Sequence, residues 1–177
     1  MSRLMSLGLA VSLAVGSVSA TPAFADQDEK FFRQVVGQWS GPGEVVAGKY
    51  KGTKFVCNFD GLAHPKSTGM TLDGSCRVGL FAQPMRAEVI RAGRGYRGAF
   101  QDGAAGKGLD IVSGEVNGNR MVVGLDRKQL KGAMVARLAD HDTMAITVSV
   151  RVASELVPVI GMNLKRSASV KESKLSR

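Results

Sequence analysis

The chain has 177 residues, 24 Lys and Arg against 15 Asp and Glu, a formal net charge of +9, two cysteines and two histidines. That length suits one domain with a substantial core, and so few Cys and His argue against a zinc-cluster or thiol-based protein. No segment after the amino-terminus is long and apolar enough to cross a bilayer as a helix.

The amino-terminus reads as an export signal. Met1-Ser2-Arg3 is a short positive region, Leu4 to Val18 is apolar, and Ala23-Phe24-Ala25 gives the small-x-small pattern of a cleavage site. Residues 1–25 are therefore expected to be removed, leaving a periplasmic or secreted protein that starts at Asp26. The leader carries one Arg and no acid, so the mature charge is +8. Such a charge confers solubility, or sets the protein against an anionic envelope surface. Nucleic acid matches the charge but not the address.

Asp26, followed three residues later by Glu29, has the form of a capping box. Phe31, Phe32, Val35 and Val36 then recur on one helical stripe, and Gly37 is placed to end the helix. From Trp39 the period changes to two. Strands are expected over Trp39–Ala47, Lys51–Asp60, Met70–Leu80, Arg86–Ala92, Tyr96–Gln101, Leu109–Val116, Arg120–Leu125, Gly132–Leu138, Thr143–Val152 and Val157–Arg166. Asn117-Gly118 is the strongest hairpin signal, expected as a type I′ turn, and Asp73-Gly74 is a candidate bulge.

These short strands leave no room for crossover helices. The fold class is all-β: an antiparallel up-and-down β-barrel of 8–10 strands preceded by a short N-terminal α-helix, spanning residues 26–166. Closure removes the vulnerable sheet edges. Residues 167–177, SASVKESKLSR, form a basic tail expected to be disordered.

Cys57 alternates with Phe55 and Phe59, and Cys76 with Leu72 and Val78, so both thiols face the apolar side of their strands. In an oxidising compartment they are expected to form one disulfide, the alternative being two small buried thiols. His64 and His141 lie in turns, and no metal site follows from them. No nucleophile elbow or triad is visible, so no catalytic residue is assigned and the protein is not read as an enzyme. Gly103-Ala104-Ala105-Gly106-Lys107-Gly108 lacks the spacing, the Ser/Thr and the following helix of a phosphate loop. It is read as a flexible loop.

Met121, Met134, Met144 and Met162 share a face with the large apolar residues of their strands. With Tyr96 and Phe100 they are the candidate lining of a barrel lumen suited to a hydrophobic small molecule. A core simply filled by methionine is the alternative.

Gly37-Gln38-Trp39, directly after a short helix and opening the first strand, resembles the calycin superfamily of lipocalins, fatty-acid-binding proteins, avidins and nitrobindin-like barrels. Gln38-Trp39-Ser40-Gly41-Pro42-Gly43-Glu44 looks closest to the nitrobindin-like opening. The resemblance implies that a cation late in the last strand, here Arg166, packs across Trp39 and closes the barrel bottom. Haem-binding nitrobindin-like proteins use a histidine in the last strand. Gly161 to Arg166 contains none, so no haem and no other cofactor is carried over.

Two functions are expected on these grounds: an exported barrel binding an apolar or amphipathic small molecule in its lumen, or an envelope protein with a filled barrel. The second would meet a protein, glycan or anionic lipid through its basic surface or tail.

Overall fold

The computed structural model describes residues 23–101, 109–128 and 130–167. The leader up to residue 22, the loop at 102–108 and the tail beyond Ser167 lie outside the described residues, and with them most of the export signal and the glycine-rich loop. A helix, α1 (Ala23–Val35), precedes ten strands: β1 (Gly37–Val45), β2 (Lys54–Ala63), β3 (Gly69–Val78), β4 (Phe81–Ala92), β5 (Gly95–Gln101), β6 (Leu109–Asn117), β7 (Arg120–Arg127), β8 (Leu130–Leu138), β9 (Thr143–Val152) and β10 (Glu155–Arg166). Each strand pairs antiparallel with its sequence neighbours, and β1 pairs with β10, which closes the barrel. The expected all-β, helix-preceded barrel is the observed fold, with ten strands among the described residues.

Period-two alternation decides which side chains fill it. On β9, Met144, Ile146 and Val148 are buried while Thr147 and Ser149 face out; on β2, Cys57 and Phe59 are buried between exposed Lys54, Asn58 and Asp60. The interior is thus apolar and the outer wall mostly polar, with Val56 and Leu62 among its exposed exceptions. Cys57 and Cys76 are register partners on β2 and β3, and they form the disulfide.

Five local expectations change. The helix begins at Ala23, so Asp26 falls within it, and Glu29 bonds Arg33 one turn on at 2.8 Å. Val36 lies past the helix end and is exposed, whereas Phe31, Phe32 and Val35 are buried. Asp73-Gly74 is no bulge, since β3 keeps unbroken register with both neighbours there. A Cβ on Gly74 would collide with the Asn58 carbonyl, so the glycine permits close strand approach. Register shifts fall instead at Ile111/Ser113 and Pro158/Ile160.

The fourth change concerns the hairpin at Asn117-Gly118. Asn117 pairs with Arg120, which makes Gly118-Asn119 the two-residue loop. Positive φ occurs only at Gly118 (58°), which fits type II′ rather than I′.

Strand β4 also starts five residues earlier than its alternation suggested, running through Pro84. Its register with β5 begins only at Arg86, opposite Gln101. Residues 81–85 therefore pair with β3 alone among the described residues, and an edge segment tolerates a residue without an N–H. The β3–β4 hairpin consequently projects past β5.

Candidate functional site: a methionine-walled chamber in a barrel closed at one end

One end of the barrel is sealed by α1. Phe31, Phe32 and Val35 are buried against it, and three carbonyls at the helix terminus, which lack partners within the helix, find them in two side chains. Trp39 donates from Nε1 to the Val35 carbonyl at 2.8 Å. Arg166 donates from Nη2 to Gln34 O and from Nη1 to Val36 O, each at 2.6 Å. Register sets Arg166 directly opposite Trp39, with its guanidinium 4.3 Å from the ring centroid. The residue thus serves as cation–π partner and as helix C-cap together. It also donates to His141 O at 3.2 Å, in the β8–β9 turn, and lies 3.4 Å from Asp142.

A second clasp holds the amino-terminal side of the helix. Asp28, 8% exposed, accepts from the Tyr96 hydroxyl at 2.7 Å and lies 3.2 Å from Arg91. Burial pushes the Tyr96 phenol well above its ordinary range, and the hydrogen bond to Asp28 adds to the effect. Sequence reading missed this cluster because Asp28 and Tyr96 are 68 residues apart.

Further into the lumen lies a chamber walled by methionine. Met70, Met85, Met134, Met144 and Met162 come from five different strands and are joined by Phe59, Phe100, Leu72, Ala87, Ala136 and Ile146. Arg86, the one charged residue in its wall, is engaged with Asp73 at 2.7 Å and Glu88 at 3.4 Å. Met85 and Phe100, on the β4–β5 side of the chamber, are partly exposed. Its free volume is only about 30 Å³, room for about two waters.

Of the six lining residues named from sequence, Phe100, Met134, Met144 and Met162 come together here. Tyr96 and Met121 are buried outside the chamber, Tyr96 beneath α1 against Phe32 and Asp28. Met70 and Met85 were passed over, although their alternation with Leu72 and Ala87 carried the same signal. Cys57 Sγ lies 3.7 Å from Met162 Sδ, so the disulfide abuts the chamber wall. His64 and His141 sit in turns at the helix-sealed end. Among the described residues no group of three or more His, Cys, Asp or Glu is positioned to hold a metal.

No protein family model matches the chain, and no curated protein sequence does. Solved structures do. The crystal structure of Rv2717c from M. tuberculosis superposes with a TM-score of 0.58 at 14% identity, covering 80% of this chain and 98% of that one. The shared property is the fold alone. A DUF3598-family protein of unknown function from Nostoc punctiforme aligns with a TM-score of 0.49 and 9% identity, over 77% of this chain and 49% of that one.

Proposed function

We propose that the protein is an exported, calycin-like binding barrel that takes a slender apolar molecule, a single hydrocarbon chain, among its lumenal methionines. The observation that carries this reading is a wall of five methionines with no free charge, in which Met85 is partly exposed. A free volume of about 30 Å³ is far below the few hundred Å³ of a preformed pocket for a bulky ligand. An occupant must therefore displace side chains, and unbranched methionine is the residue best able to move aside. Rigid ring systems fit poorly. Export is supported by the leader sequence together with the Cys57–Cys76 disulfide. The calycin assignment is supported by Trp39 stacked on Arg166 beneath the helix.

The small volume equally favours a second reading, a filled barrel that serves as a scaffold. Solvent extraction and native mass spectrometry of the protein from its own envelope decide between them, with titration of a fluorescent fatty acid. A bound chain, and probe binding that Ala136→Leu abolishes while the disulfide and circular dichroism are kept, support the lumenal reading. If no chain is extracted and no probe binds, the scaffold reading stands.

A further inference from the structure

From the open rim of the barrel we infer a second function: the helix-free end docks on an anionic lipid bilayer. The inference is independent of what occupies the lumen. Most of the large hydrophobic side chains exposed among the described residues are at this end, foremost Leu80 (94% exposed), Phe81 (83%) and Tyr50 (66%), with Leu130, Val152 and Leu156. Among the described residues the helix-sealed end shows only Val36 and Leu62. Scattered exposed apolar residues need no explanation, but their concentration on one rim does.

The placement follows from the hairpins. Leu80 and Phe81 cap the β3–β4 hairpin, whose outer residues outrun β5. Tyr50 tops the adjacent β1–β2 connection, because β2 pairs with both β1 and β3. Val152 and Leu156 flank the β9–β10 turn, on the other side of β1. Three neighbouring tips therefore point the same way.

Exposed cations accompany these tips: Lys49 and Lys51 around Tyr50, Arg77 before Val78, Lys128 and Lys131 around Leu130, and Arg151 before Val152. Among the described residues the acids at this end are Glu44, Asp110, Asp126 and Glu155, of which Asp126 lies 3.9 Å from Lys131. Apolar tips spaced apart and separated by basic residues do not make the continuous face that a protein partner would cover. They do match a bilayer interface, which accepts several separate aromatic and aliphatic tips at headgroup depth and attracts the surrounding cations. Proteins, glycans and the basic tail are the competing explanations that the test separates.

The test is flotation of the chain from Asp26 onward, without the apolar leader, with vesicles of phosphatidylcholine alone or mixed with phosphatidylglycerol, at low and high salt. Binding is expected to anionic vesicles only and to weaken with salt. The paired change Leu80→Asp and Phe81→Asp is expected to reduce it by about tenfold or more, as charge now sits at the inserting tip. Both residues are exposed, so folding is retained, and an unchanged thermal midpoint verifies this. Leu62→Asp at the sealed end is expected to leave binding intact. Indifference to anionic vesicles would overturn the proposal, even if the rim captured a protein or glycan instead. Binding that survives the Leu80/Phe81 change but disappears when residues 168–177 are removed would also overturn it, by moving the contact to the tail.

Discussion

Trp39 and Arg166 each perform two tasks at one point in the barrel. The indole fills the sealed end at 1% exposure while its N–H satisfies the Val35 carbonyl. The guanidinium covers the ring while holding the Gln34 and Val36 carbonyls. Trp39→Ala therefore leaves a cavity and an orphaned carbonyl together. We expect it to lower unfolding free energy by about 3–5 kcal/mol, measured by urea denaturation. Arg166→Lys keeps the charge but offers one ammonium in place of a planar fork, and should cost about 1–2 kcal/mol. The two residues were visible in sequence because a G-x-W after a helix and an alternating last strand both announce themselves locally. The Asp28–Tyr96–Arg91 clasp was not, since no local pattern distinguishes an inward Asp on a helix from a capping one. Only closure of the barrel brings β4 and β5 beneath α1.

At the level of the hairpins, the turns obey one rule more consistently than their sequences do. Gly79, Gly93 and Gly118 occupy the first position of two-residue loops, with φ of 57°, 63° and 58°. Ala153 occupies the same position between Val152 and Glu155 at φ 53°, where a side chain is strained. Ala153→Gly should accordingly stabilise the protein by about 1 kcal/mol, seen as a raised urea midpoint with an unchanged slope. All ten strands were legible because each carries a stretch of alternation with one wet face, although β3 opens on four buried residues and β4 on four exposed ones. What failed was local and had physical causes. Pro84 disguised the start of β4, because a proline is tolerated on a segment paired on one side only. The dipeptide Asn117-Gly118 advertised a turn one residue away from the one the register selects. The chamber was half legible: periodicity gives the inward face, but not the depth at which each residue sits. Tyr96 and Met121 therefore could not be separated from Met134 and Met162.

Across the whole molecule, the sealed end and the open rim divide the labour. The sealed end gathers the specific polar contacts: two clasps, a capped helix and the β8–β9 turn, where the Asp142 N–H holds the Asp140 carboxyl below its usual range. Among the described residues, the open rim carries most of the exposed large hydrophobic side chains. Stability should then depend on the sealed end, and Tyr96 gives it a pH signature. Its phenol is raised above the ordinary value of 10.0 in the folded protein, first by burial and then by Asp28. Above that pH the unfolded chain releases the proton while the folded one retains it, so fewer protons are bound in the unfolded state and stability falls as pH rises. The loss approaches roughly 1.4 kcal/mol per pH unit for one group. Below pH 10.0 this contribution is constant. We expect the unfolding free energy of the native protein, measured by urea denaturation, to decline above that pH, and that of Tyr96→Phe to start lower by about 2 kcal/mol, from the lost hydrogen bond to a carboxylate, and decline less. Parallel alkaline declines in the two proteins would show that Tyr96 is not the group responsible, and an unchanged starting stability in Tyr96→Phe would show that the clasp on Asp28 contributes little to holding the helix in place.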